Sequence, residues 1–269
     1  MRHIYVGDVG DFGKYGLLRA LCGSAYSLGI VWYLTEAAEH NNDGKHDGYL
    51  KLESSAKRSQ FRDCDPHLYD VLKQIREQKR LDLSLIEASS IFESTCKFFA
   101  TPVPHFEGVY PGKAAAQRRW QDRQRWHLNA MAAMKDASIV FVDPDNGIIF
   151  DTPSAGSRPS HKHAYMDELR GYINRGQTAV AYHHLGRQKG GHEALIQTCL
   201  RKCSVNGLDP WVIHYNRGTG RAFFVFPNKE HRDQLYNASQ IFVRTWSRHS
   251  RLIDLSSSAT GLGGRTHDL

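Results

Sequence analysis

Short apolar runs alternate with longer stretches of helical periodicity along most of the chain. Ile30 to Leu34 (IVWYL) and Ser138 to Val142 are nearly continuous apolar runs bounded by glycine or polar residues, the pattern of strands buried on both faces. Leu83 to Glu87 reads as a second strand and Thr178 to Tyr182 as another. Trp211 to Tyr215 and Ala222 to Phe226 read as a hairpin closed by Asn216-Arg217-Gly218-Thr219-Gly220. Helical spacing fills the intervals. A helix capped at Asp11 runs to Tyr26, one from Pro66 carries Leu68, Val71, Leu72 and Ile75 on one face as far as Arg80, and a long one spans Gly112 to Lys135. Three more cover Ala164 to Arg175, Glu193 to Cys203 and Asn228 to Trp246.

Helices that alternate with buried strands predict one α/β domain over residues 1–250: a mainly parallel sheet, covered on both faces, with a terminal antiparallel hairpin at one edge. Residues 35–82 are in part a helical insertion, and residues 251–269, rich in Ser, Gly and Thr, form a loose tail.

Composition narrows the class. With 269 residues, 41% hydrophobic and 23% charged, the chain has the balance of a globular protein, which excludes fibrous and disordered classes. No apolar run approaches the roughly 18 to 20 residues of a membrane helix, and the first residues lack an apolar export segment, so a soluble, cytoplasmic protein with no membrane partner is expected. The five cysteines show no paired C-x-x-C spacing of a zinc knuckle. Lys and Arg outnumber Asp and Glu by 35 to 28, giving a net charge of +7, which favours nucleic acid or another phosphate-rich partner.

In open α/β sheets the ligand lies beyond the carboxyl ends of the strands, and the residues there are unusually polar. Asp143-Pro144-Asp145-Asn146-Gly147 follows one strand, His183-His184-Leu185-Gly186-Arg187 another, and Glu87 a third, while Asn41-Asn42-Asp43-Gly44-Lys45-His46 lies in the loop after the first. Asp143, Asp145 and Asn146 are the catalytic candidates, and Asp143, Asp145 and His183 offer an alternative ligand set for Mg²⁺ or Mn²⁺ in a metal-dependent phosphodiesterase. The run from Gly7 to Tyr15 fits no phosphate-loop pattern; its glycines, with Gly16, suggest close backbone packing, with Lys14 placed to meet an anion. Arg119 and Arg123, four apart on the long helix beside Trp120, could pair phosphates while the indole stacks a base. His183, His184 and Arg187 complete the substrate-binding candidates.

The segments GDFGKYGLLRAL, WYLT, NNDGKHDGYL, FVDPDNG and YHH-x-x-R are similar to a bacterial family of uncharacterised proteins, over roughly residues 5–190. The order of elements more distantly resembles the RlmJ family of ribosomal RNA adenine-N6 methyltransferases. Gly7, Asp11 and Lys14 match its G-x-x-x-D-x-x-K segment, Glu87 its acidic residue after the second strand, and Asp143-Pro144 the start of its Asp-Pro-Pro-Tyr motif. The resemblance implies a Rossmann-like, methyltransferase-like fold holding S-adenosylmethionine, with Glu87 on the ribose, Lys14 on the carboxylate, and Tyr15 and Asp43 beside them. Asp143 would meet the target amine of a nucleic acid or nucleotide. Two positions depart from that family: Thr35-Glu36-Ala37-Ala38-Glu39-His40 has no glycine, and Asn146 stands where a tyrosine would stack the base. A non-catalytic nucleic-acid-binding module on the same fold, bound through residues 113–126, is the third reading.

Overall fold

The computed structural model describes residues 1–35, 46–105, 112–153, 157–186 and 189–255. Its centre is a seven-stranded sheet in the order β2-β1-β3-β6-β8-β7-β9, where β1 is Leu28–Val31, β2 Lys97–Phe99, β3 Ile139–Val142, β6 Thr178–His184, β7 Trp211–Arg217, β8 Thr219–Phe226 and β9 Ser250–Ile253. β2, β1, β3 and β6 pair in parallel, and β8 lies antiparallel between β6 and β7, with β9 antiparallel at the outer edge of β7. β4 (Gly147–Ile149) and β5 (His163–Tyr165) form a separate two-stranded parallel pair beside the carboxyl end of β6. The architecture is a mixed α/β, Rossmann-like fold.

Strand alternation sends successive side chains to opposite faces and so divides the core in two. Ile139, Phe141, Val180, Ile213 and Phe223 pack on one face under α1 (Val9–Cys22), α3 (Pro66–Arg76) and α8 (Arg232–Thr245). Val140, Val142, Ala179, Ala181 and Phe224 pack on the other under α5 (Lys113–Ala133), α6 (Met166–Ile173) and α7 (Gly191–Val205). That two-sided burial is why the strands read as unbroken apolar runs.

α1 is buried along almost its whole length. A Cβ on Gly10 would stand 2.4 Å from the Arg221 guanidinium, on Gly13 2.6 Å from the Tyr215 ring, and on Gly16 2.4 Å from Trp246. The glycine repeat is therefore the seam by which α1 lies against β7, β8 and α8. Asp8 caps the helix, its carboxylate accepting the Asp11 N–H at 2.8 Å, so the start falls three residues before the expected Asp11 cap.

Four expectations need correction. Leu83 to Glu87 is not a strand: Ser84–Glu87 is a single helical turn, α4, and the edge strand is Lys97–Phe99. Its three apolar positions, Leu83, Leu85 and Ile86, fit a buried turn as well as a strand. Ala164, expected in a helix, belongs to β5, and α6 starts only at Met166. The hairpin does not end the sheet, because β9 covers β7 and the boundary drawn at residue 250 cuts through it. Residues 46–82 carry α2 (Ser55–Arg62) and α3, as a helical excursion would. Of the expected tail, only residues 256–269 lie outside the described residues.

Candidate functional site

The carboxyl ends of β3 and β6 and the start of α1 surround a cavity of about 390 Å³ lined by Asp8, Asp11, Lys14, Asp143, Asp145, Asn146, Lys162, Tyr182, His184 and Arg221, with Met1, Arg2 and His46. The Asp143 N–H donates to the Val31 carbonyl at 3.0 Å, which pins the residue to the end of β1, and Pro144 restricts its backbone to extended conformations. The fold, and not a mobile loop, therefore sets the direction of this carboxylate.

At the floor, Lys14 Nζ bridges two carboxylates, 2.7 Å from Asp11 Oδ1 and 2.8 Å from Asp143 Oδ2. Asp11 Oδ2 in turn accepts the Gly7 N–H at 2.9 Å. Asp143 Oδ1 has no partner among the described residues. Burial works against the Lys14 ammonium, but the charges of Asp11 and Asp143 outweigh it and hold its pKa above the usual lysine value. Burial pushes the Asp11 carboxyl up to about 6, against the pull of Lys14 and with the help of the Asp8 charge. A buried carboxyl that titrates near neutrality in a cleft is the perturbation associated with functional sites. Beside this trio, Arg221 meets Asp8 at 3.2 Å and Arg2 meets Asp145 at 3.8 Å.

β6 decides which of the paired histidines belongs to the site. Tyr182 and His184, two apart, both line the cavity, whereas His183 points to the opposite face. There its Nδ1 accepts the Ile148 N–H at 3.0 Å and its ring packs on Phe150 and Phe224. Burial, reinforced by Arg221, lowers the pKa of His184. His183 is thus separated from Asp143 and Asp145, so the proposed ligand set does not converge. Among the described residues no three His, Cys, Asp or Glu side chains come together to hold a metal ion.

The residues that the resemblance assigns to S-adenosylmethionine do not form one site. Tyr15 is fully buried against Trp32 and Phe92. Glu87 ends α4 and accepts the Trp32 indole N–H at 2.8 Å, and it does not line the cavity. Asp43 lies outside the described residues, as does Arg187. The crevice between β1 and β3, where the connections of the sheet leave in opposite directions, is bridged by the Met1 amine, which donates to the Tyr33 and Asp143 carbonyls at 3.0 and 3.1 Å. Burial lowers the pKa of that amine. Among the described residues this arrangement does not fit the cofactor.

α5 also differs from expectation. Arg123 is 1% exposed; its guanidinium grips the Glu168 carboxylate at 2.6 and 2.9 Å and donates to the Ser160 and His163 carbonyls, so it is turned away from any phosphate. Trp120 donates its indole N–H to the Ser157 carbonyl, and Arg119 is half-buried. The two arginines share no exposed face. Four positions, Arg119, Trp120, Arg123 and His183, therefore stand apart from the cavity, while Lys14, Asp143, Asp145, Asn146 and His184 meet in it.

Sequence reasoning missed Arg2, Asp8, Lys162, Tyr182 and Arg221 as cavity residues. Arg221 had a readable signal, since an arginine among Gly220, Ala222, Phe223 and Phe224 at the start of a buried strand requires a partner. Lys162 had none.

A polar, mixed-charge cavity at the carboxyl edge of a Rossmann-like sheet defines the class: an α/β protein with a small-molecule-sized site. No helix among the described residues is long and apolar enough to cross a membrane. No family model matches the chain, and no curated protein matches it. Among solved structures, the chain is similar to the crystal structure of protein LPL1258 from Legionella pneumophila str. Philadelphia 1, family-model DUF519, at 10% identity and a TM-score of 0.38, covering 94% of this chain and 96% of that one.

Proposed function

We propose that the chain is a nucleotide-directed protein on a methyltransferase-like sheet, taking a nucleotide unit, free or within a nucleic acid, by the exocyclic amine of its base. The observation that carries the reading is the Asp143 carboxylate. Lys14 fixes it through Oδ2, and Oδ1 in the cavity has no partner among the described residues. An ionised carboxylate only accepts hydrogen bonds, so it selects an amine and repels a carbonyl at the same place. Asn146, exposed at the mouth, offers both a donor and an acceptor to the neighbouring ring edge.

Each group has a part. Lys14 orients the Asp143 carboxylate through its 2.8 Å contact, so the geometry that an amine meets is formed before the ligand arrives. Burial raises the Asp11 carboxyl to about 6, which makes it the group of the trio that can exchange a proton closest to neutral pH. Tyr182 and His184 stand as neutral donors, because burial raises the phenol pKa and lowers that of the imidazole.

The test compares pairs of ligands in which a carbonyl replaces the amine. AMP against IMP, and CMP against UMP, are titrated into the full chain by calorimetry, with S-adenosylmethionine as a further probe. The amine-bearing member of one pair is expected to bind at least about tenfold tighter, as a site built to hydrogen-bond a group rejects the analogue lacking it. Asp143→Asn should erase that preference. Equal binding within both pairs would sink the reading, and tight binding of S-adenosylmethionine alone would restore the cofactor in place of the nucleotide.

A further inference from the structure

One rim of the cavity is a continuous series of cation-bearing and donor-bearing residues. The Asn146 N–H donates to the Lys162 carbonyl at 2.8 Å, the His184 N–H donates to the Asn146 carbonyl at 3.2 Å, and His184 stands opposite Arg221 in the β6–β8 register. The rim thus runs Lys162, Asn146, His184, Arg221, with the amine acceptor Asp143 three residues before Asn146. Lys162 Nζ has no partner among the described residues. The Arg221 guanidinium is held in place by the Arg217 and Thr219 carbonyls at 2.7 and 3.0 Å, and its charge meets Asp8 at the longer distance of 3.2 Å.

The same cavity is small, and among the described residues several cations outside it are already paired. A volume of about 390 Å³ is near the lower limit of the roughly 300 to 1,000 Å³ of small-molecule sites. A bound strand requires cations that follow successive phosphates. On α5, which the sequence puts forward for that task, Arg123 is buried on Glu168 and Arg125 meets Asp122 at 3.3 Å. Lys202 and Arg251 are likewise occupied, by Asp151 and Glu193.

We propose that the ligand is a free nucleoside phosphate, its phosphate on Lys162 at the rim and its base amine on Asp143, and not a nucleotide within a strand. The inference rests on the nucleotide reading above and narrows its substrate class. Lys162 supplies the charge that no described residue pairs, and His184 a neutral donor further along the rim, while Arg221 is held by Asp8.

Calorimetry at one ionic strength tests it, with AMP, adenosine and a single-stranded oligoadenylate titrated into the full wild-type chain and into Lys162→Met and Lys162→Gln. Each variant's unfolding midpoint is measured first, and the two substitutions guard against a folding defect in either. AMP is expected to bind about tenfold tighter than adenosine and tighter than the oligonucleotide, and both Lys162 variants to lose most of that advantage. Equal affinity for AMP and adenosine overturns the inference while leaving the amine reading intact. An oligonucleotide that binds tighter than AMP also overturns it, in favour of nucleic acid. Should AMP exceed adenosine while AMP and IMP bind alike, the phosphate assignment stands and the amine reading falls. Binding of none of the three overturns both.

Discussion

Lys14 on α1 lies 2.8 Å from Asp143 at the end of β3, joining residues 129 positions apart through a contact that is buried on both sides. The contact ties the first helix to the carboxyl edge of the sheet, and it makes the candidate site part of what holds the fold together.

Removing the cation should therefore be costly. Lys14→Met leaves Asp11 and Asp143 facing one another in a buried space, and breaking a buried pair from one side costs about 3 to 5 kcal/mol. Urea denaturation is expected to show a loss of that size. Adding Asp143→Asn should return part of it, because the residual repulsion is then removed. A loss below about 1 kcal/mol for the single variant would mean that water reaches the trio.

The Asp11 carboxyl gives the pH dependence a definite sign. Its folded pKa, about 6, lies above the ordinary 3.8, so between these values the folded state binds more protons than the unfolded one. Asp11 therefore contributes stability at the acid side of this window, and the contribution is lost as pH rises from 4 through about 6. Lys14 acts higher up: its raised pKa contributes stability that is present below 10.5 and lost above it. Glu168, held low by Arg123 against its burial, has the opposite slope at acid pH, so the comparison must be made by difference. Melting curves of wild type and Asp11→Asn at pH 4, 5, 6 and 7 should show the variant gaining on the wild type as pH rises. Parallel curves would contradict the Asp11 assignment.

The long helix gives a contrast between buried and exposed arginines. Arg123→Met leaves the Glu168 carboxylate uncompensated beside the Tyr33 hydroxyl, and is expected to lower stability by about 3 to 5 kcal/mol. Arg118 and Arg125 are exposed, and Arg118→Ala with Arg125→Ala should stay within about 0.5 kcal/mol. Urea midpoints for these variants decide the matter. A mild effect at Arg123 would mean that its guanidinium swings to solvent.

Much of the fold was legible because burial on two faces leaves a strong mark. The runs at Ile30, Ile139 and Thr178 are strands for this reason, and the spacing of Leu68, Leu72 and Ile75 marks α3. Leu83 to Glu87 misled because three apolar positions within five residues satisfy a strand and a buried turn alike, and only the pairing of β1 with Lys97–Phe99 excludes the former. β4, β5 and β9 were missed because strands of three or four residues carry too few alternations to show a period.

By itself the sequence determined the alternation of helices and buried strands, and with it the edge of the sheet where Asp143, Asp145, Asn146 and His184 stand. It also suggested that the glycines of α1 serve close packing, since the run fits no phosphate-loop pattern, and the fold sets Gly10, Gly13 and Gly16 against Arg221, Tyr215 and Trp246. Tertiary structure alone decided who meets whom. It set Lys14 between Asp11 and Asp143, turned His183 away from His184, buried Arg123 on Glu168, and brought Lys162 and Arg221 to one rim. The physical reason is that hydrophobic burial has a period that sequence displays locally, whereas the partner of a buried charge is set by a distance across the fold.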